Sequence, residues 1–129
     1  MKYLHTMIRV SDPVETIRFF NLLGLQEVRR YDVEAGRFTL IFLAAPGDES
    51  AQVELTHNWD TDSYDLGNAY GHIAIEVEDA YAACDAARAK GGNVVREAGP
   101  MKHGTTVIAF VEDPDGYKIE FIQKNSGND

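Results

Sequence analysis

Two histidines and two glutamates of this chain fall at matching distances. His5 precedes Glu54 by 49 positions and His72 precedes Glu120 by 48, so the sequence carries a His/Glu pair twice. Imidazole nitrogen suits borderline divalent ions such as zinc, nickel, cobalt or iron, while carboxylate oxygen adds charge and leaves coordination positions for water or substrate. A structural zinc site built on cysteines is excluded, because Cys84 is the single cysteine of the chain. The pattern is dispersed, unlike a compact signature such as HExxH. Its force lies in repetition, since four independent surface residues have no reason to occupy equivalent positions of two halves.

The elements that must position these residues also repeat. HTMIRV (5–10) reads as a strand, SDPVETIRFFNLLG as a helix, and QEVRRY, RFTLIFLA and AQVELT as three further strands. HIAIEV (72–77), DAYAACDAARAKGG, NVVREA, TTVIAFVE and YKIEFIQ repeat that order in the second half. The expected fold is α+β: one domain over 1–129 made of two tandem βαβββ modules, 1–62 and 70–125, joined by a polar, glycine-bearing linker near 63–69. Asp12-Pro13 with Glu15 gives a cap, a proline at the first helical position and a capping-box acid, and Gly24 ends the run. Asp79 and Gly91 frame the second helix, with Gly91-Gly92 as its C-cap, and Ala80, Ala83, Cys84 and Ala87 form its apolar stripe. Cys84 is then a core residue. DPDG (113–116) is a strong turn between the last two strands.

Strand alternation assigns faces. Val53 and Leu55 point one way and Gln52, Glu54 and Thr56 the other; Ile119 and Phe121 likewise oppose Lys118, Glu120 and Ile122. With the apolar side under the helices, both glutamates project onto a concave, helix-free face. His5 and His72 share that face, because Ile8 and Val10, or Ile73, Ile75 and Val77, occupy the helix side. Two imidazoles and two carboxylates are therefore expected to converge. His57, beside Asn58 at a strand end, reads as a rim residue rather than a fifth ligand, and His103 in GPMKHG sits in a glycine-flanked loop that either closes over a pocket or lies in solvent.

Composition narrows the partners. The 129 residues are 44% apolar and 26% charged, the profile of one folded domain. Twelve Lys and Arg against 21 Asp and Glu leave a formal charge of −9, a field that repels phosphate backbones and anionic headgroups, so neither nucleic acid nor a membrane is an expected partner. No stretch reaches the 18 or more continuous apolar residues of a membrane span, and MKYLHTMIRV lacks the apolar run of a signal peptide. A cytoplasmic location is the expectation.

LHTMIRVSD (4–12), VELTHNWD (53–60), YGHIAIEVED (70–79) and KGGNVVREAGPMKHGTTVIAFVEDPDGYKIEFI (90–122) resemble glyoxalase I, the lactoylglutathione lyase family, in its short bacterial form. The similarity spans essentially the whole chain. The wider vicinal oxygen chelate superfamily has paired βαβββ modules with a metal on the concave sheet, and includes dioxygenases, epimerases and transferases, so fold alone does not choose the reaction. The family's metal ligands fall on His5, Glu54, His72 and Glu120 without a substitution. The resemblance implies isomerisation of the methylglyoxal–glutathione hemithioacetal to S-lactoylglutathione by proton transfer through an enediolate, without a redox cofactor. Glu120 is then the principal base, and Glu54 the second carboxylate, serving the opposite face or epimer.

Family glutathione contacts fall on Arg9 and Asn58, and an anionic tripeptide needs such groups in a protein of negative charge. Eukaryotic relatives often carry an arginine four residues before the second histidine, where this chain has Asn68; Lys102 or His103 would then help hold the glutathione carboxylates. The resemblance further implies a homodimer whose sites are shared between the first module of one subunit and the second of its partner. The short form points to one divalent ion per site, nickel first, with cobalt or zinc as alternatives. The rival readings are a thioester epimerase, an iron dioxygenase and a non-catalytic metal- or ligand-binding module.

Overall fold

The computed structural model describes residues 1–124; Asn125, the last position of the expected second module, lies outside the described residues. The chain divides into two compact units, with the boundary between Asp65 and Leu66. In the first, β1 (His5–Arg9), α1 (Pro13–Leu22), β2 (Gln26–Val33), β3 (Phe38–Ala45) and β4 (Asp48–Asn58) follow in order. The second contains β5 (Ile73–Val77), α2 (Ala80–Ala89), β6 (Asn93–Pro100), β7 (Val107–Glu112) and β8 (Lys118–Gln123). The architecture is α+β, built from two βαβββ modules. Each module makes its own four-stranded sheet, ordered β1-β4-β3-β2 and β5-β8-β7-β6. In both, the first and last strands pair in parallel and the other pairs are antiparallel.

The helix ends follow from local chemistry. The Asp12 carboxylate accepts the Glu15 N–H at 3.2 Å and Pro13 opens α1, while the Asp79 carboxylate accepts the Ala82 N–H at 3.1 Å at the start of α2. At the other ends, Leu25 N–H donates to Phe20 O at 3.0 Å and Gly92 N–H to Ala87 O at 2.8 Å. These 6→1 bonds require a left-handed residue inside the turn, supplied by Gly24 (φ 89°) and Gly91 (φ 83°).

Alternation in the central strands divides each sheet into a helix side and an open side. Ile8, Val10, Phe20, Ile41, Leu43, Val53 and Leu55 are buried in the first unit, and Ala109, Val111, Ile119 and Phe121 in the second. Ala80, Cys84 and Ala87 form the buried face of α2, which packs on β6, β7 and β8. Small side chains at these positions let the helix approach the sheet closely. Burial pushes the Cys84 thiol above its ordinary range, so this cysteine is an inert core residue.

One irregularity recurs. The β2–β3 ladder slips between Glu27 and Arg29, and the β6–β7 ladder slips between Val94 and Arg96. Val28 and Val95, the skipped residues, are both exposed. Such bulges re-aim the residues that follow them. Here they bring Arg29 opposite Phe42 and Arg96 opposite Phe110.

Candidate metal centre

The register lays one row of side chains across each sheet. Met7, Glu54, Phe42 and Arg29 are successive cross-strand neighbours in the first unit; Ala74, Glu120, Phe110 and Arg96 take the same places in the second. His5 stands two residues before Met7 and His72 two before Ala74. Strand alternation therefore puts each histidine on the face of its glutamate. His5 Nε2 lies 2.8 Å from Glu54 Oε1, and His72 Nε2 lies 3.2 Å from Glu120 Oε1. The carboxylates are the more enclosed members, with side chains 12% and 15% exposed against 32% and 43% for the imidazoles.

The four expected ligands thus come together as two pairs, one in each unit. Among the described residues no group of three or more His, Cys, Asp or Glu gathers into a metal-binding cluster. Each unit supplies one of the two expected His/Glu pairs. The cause is the fold itself, in which each sheet brings its own first and last strands together and so completes only its own His/Glu pair.

Sequence reading missed the groups that hold these pairs. Phe42 meets His5 in a T-shaped contact and Phe110 does the same for His72. Thr56 Oγ donates to Glu54 Oε2 at 3.2 Å, so both oxygens of Glu54 are engaged. The position two residues after Glu120 is Ile122, which has no hydroxyl. Among the described residues, Glu120 has the His72 contact alone. The two carboxylates are therefore held unequally. The Phe signal was present as a repeated aromatic but obscured by spacing, since Phe42 precedes Glu54 by 12 positions and Phe110 precedes Glu120 by 10.

The arginines at the row ends also differ. Arg29 carries its guanidinium carbon 4.0 Å from the centre of the Phe42 ring. Arg96 instead donates to four carbonyls, those of Glu97, Gly99, Pro100 and Ile108, at 2.8–3.1 Å, and so stitches together the distorted start of the β6–β7 hairpin. A cavity of about 320 Å³ opens beside His72, lined by Tyr70, Gly71, Val95, Arg96, Phe110 and Lys118. Burial, followed by the Asp113 charge, pushes the Tyr70 phenol up to about 12. It stays protonated at neutral pH and is not a candidate base.

The remaining expected residues are placed as follows. Arg9 is exposed on β1, on the His5 face by alternation. Asn58 ends β4, and its amide donates to the Tyr64 hydroxyl at 3.0 Å. Lys102 and His103 lie exposed in the loop between β6 and β7. His57 Nδ1 lies 3.2 Å from the Val10 carbonyl and ties β4 to the end of β1, a structural position. Asn68 is exposed in the segment between the modules.

The donor chemistry fits a divalent ion. Each pair turns an imidazole nitrogen and a carboxylate oxygen toward each other at hydrogen-bond distance, so both donors address one region of space. An N/O set of this kind suits zinc, nickel or cobalt. Two donors from one unit leave most of a coordination sphere to other ligands.

Comparison with known proteins converges on one family. The profile of the Glyoxalase/Bleomycin resistance protein/Dioxygenase superfamily matches residues 2–121. A lactoylglutathione lyase of Neisseria meningitidis serogroup A is 66% identical over 132 residues, covering 100% of this chain and 95% of its own. Glyoxalase I from Zea mays is 42% identical with a TM-score of 0.89; 95% of this chain is covered, but it spans only 44% of the maize chain. The trypanothione-dependent glyoxalase I of Leishmania major is 40% identical with a TM-score of 0.83, covering 95% of this chain and 86% of that one.

Proposed function

The chain belongs to the Glyoxalase/Bleomycin resistance protein/Dioxygenase superfamily, and from that premise we propose that it is a lactoylglutathione lyase, converting the hemithioacetal of methylglyoxal and glutathione into S-lactoylglutathione. The observation that carries this reading is the duplicated His/Glu pair, His5–Glu54 and His72–Glu120, in a chain 66% identical to a lactoylglutathione lyase along its whole length. A divalent metal and a glutathione adduct go with that activity. His5, Glu54, His72 and Glu120 are the residues that would hold the metal, with nickel the first choice and cobalt or zinc the alternatives. The ion would supply a Lewis acid that polarises the adjacent oxygens of the substrate and offsets enediolate charge.

The protein's own part is to position and move one proton. Glu120 takes the proton from C1 of the hemithioacetal and returns it to C2, so the aldehyde carbon is oxidised as the ketone carbon is reduced. The unequal restraint of the two glutamates supports this choice. Glu54, held by His5 and by Thr56, is suited to staying in place, whereas Glu120 lacks a hydroxyl donor and is the less restrained of the two. Glu54 serves as the second carboxylate, facing the opposite epimer. His5 and His72 remain neutral donors, their rings fixed by Phe42 and Phe110.

Arg9 binds a carboxylate of glutathione and Asn58 orients its peptide. One N–H of the Asn58 amide is given to Tyr64, which leaves the carbonyl oxygen and the second N–H for the tripeptide. Lys102 and His103 sit on an exposed loop from which they add a contact to the bound adduct. One His/Glu pair in each module fits a homodimer in which the first module of one subunit and the second of its partner complete each site. No helix among the described residues is long and apolar enough to cross a membrane. A cytoplasmic location fits the detoxification of methylglyoxal.

The test is thioester formation from methylglyoxal and glutathione, followed by absorbance with metal-loaded protein. Thioester that depends on both components supports the reading. Oxygen consumption, or turnover of coenzyme A thioesters in its place, would identify a dioxygenase or an epimerase. Binding of glutathione conjugates without turnover would identify a binding module.

A further inference from the structure

Arg29 stands at the end of the row that carries Glu54, two strands from it. At about 4.8 Å per strand this puts its Cα roughly 10 Å from that of the glutamate. Its guanidinium lies on the ring of Phe42, the same ring that contacts His5. Three independent features bear on what this cation does.

The first is how it reaches this position. Without the slip between Glu27 and Arg29, Val28 would face Phe42; the bulge substitutes an arginine for a valine on the open side of the sheet. The second is its lack of a partner. Arg18, Arg30, Arg37 and Arg88 each meet a carboxylate. Among the described residues the Arg29 guanidinium meets no carboxylate and no carbonyl, and it lies over the face of Phe42. Its planar fork of N–H donors rests over that ring on an exposed side chain and is open to an incoming anion. The third is an internal control. Arg96 follows the equivalent bulge and faces the equivalent phenylalanine, but its donors are spent on four backbone carbonyls. The structural task performed by Arg96 has no counterpart at Arg29.

We infer that Arg29 is a specificity-determining residue that binds a carboxylate of the thiol portion of the substrate, several bonds from the reacting carbons. This rests on the glutathione-dependent reading above and deepens it. In a protein of formal charge −9 an anionic substrate is opposed by the mean field, and a preorganised guanidinium beside the half-site reverses that locally. The carboxylate would accept two parallel N–H bonds from Arg29 while the adduct's reacting end addresses the His5–Glu54 pair.

The experiment uses whole, metal-loaded protein and its Arg29→Met and Arg29→Lys variants, with Arg18→Met on the exposed surface of α1 as a charge-matched control. Two readouts are taken: steady-state kinetics with the methylglyoxal–glutathione adduct, and calorimetric binding of S-hexylglutathione. Arg29→Met is expected to raise both KM and the S-hexylglutathione Kd about tenfold or more, with a smaller change in kcat. Arg29→Lys should recover part of the loss, and Arg18→Met should match the parent. Added salt should weaken binding to the parent more than to Arg29→Met. A Kd for Arg29→Met within twofold of the parent overturns the inference, as does a loss of kcat and metal content at unchanged Kd, which would mark a structural role. If the parent binds S-hexylglutathione with the expected Arg29 dependence but forms no thioester, the lyase reading fails while the carboxylate site stands. If the parent does not bind S-hexylglutathione, both fail.

Discussion

His5 and Phe42 stand in a T-shaped contact, ring centroids 5.4 Å apart and planes at 75°, and His72 and Phe110 repeat it at 5.3 Å and 74°. An aromatic wall thus limits how each imidazole can turn, the task that a hydrogen-bonded outer ligand performs in many metal sites. Phe42→Leu should keep the fold but loosen His5, lowering metal affinity by about tenfold to a hundredfold. Metal affinity measured by competition with a chelator checks this. An unchanged affinity would mean that Glu54 alone orients the histidine.

The two glutamates should not be equivalent. Glu120→Gln is expected to cut turnover by about 10²–10⁴-fold with part of the metal retained, because it removes the base but leaves an oxygen donor. Glu54→Gln should cost at least about tenfold less on the same scale. Thr56→Val, which removes the hydroxyl donated to Glu54 Oε2, should make the two substitutions more alike by freeing Glu54. The readout is kcat at matched metal occupancy; full turnover in Glu120→Gln would remove its assignment as base.

Much of this arrangement is legible in the sequence, and the illegible parts have a common cause. Asp12, Gly24, Asp79 and Gly91 announce the helices because caps depend on chain neighbours only. His5, Glu54, His72 and Glu120 are visible because the repeat preserves their spacing almost unchanged. Phe42, Arg29 and Thr56 are invisible in that way, since their roles depend on which residue lies across a ladder. The bulge at Val28 changes that by one position and exchanges a valine for an arginine at the site. The pairing of ligands two by two is likewise a property of sheet order rather than of spacing.

Arg9→Ala should mainly weaken use of the glutathione adduct, raising KM about tenfold while the metal stays bound. Metal content by elemental analysis and the Kd of a glutathione analogue separate these effects. An unchanged Kd would remove Arg9 from the substrate contacts.

Asp113 governs a separate, pH-dependent part of stability. Its Oδ1 accepts the N–H groups of Asp115 and Tyr117 in the turn before β8, but Oδ2 is buried without a hydrogen-bond partner. Burial pushes the carboxyl up from 3.8 to about 6, against the lowering effect of the backbone donors. Between those values the folded state holds more protons than the unfolded one, so this group's contribution to stability is present below the unfolded value and is lost as pH rises through about 6. Asp113→Asn keeps the Oδ1 acceptor and removes the charge. It should be more stable than the parent by roughly 1–3 kcal/mol at pH 8, with the gap closing toward pH 4. Thermal midpoints across that range check the sign, and a gap that widens on acidification would refute it.

The central claim is that the His/Glu pairs hold a functional divalent ion. The direct measurement is to strip the protein with a chelator, verify removal by elemental analysis, and assay methylglyoxal plus glutathione before and after adding Ni²⁺, Co²⁺ or Zn²⁺. Activity should vanish with the metal and return on reconstitution, most strongly with nickel, and no ion should restore a His5→Ala, His72→Ala double variant. Full thioester formation by verified metal-free protein would contradict the account.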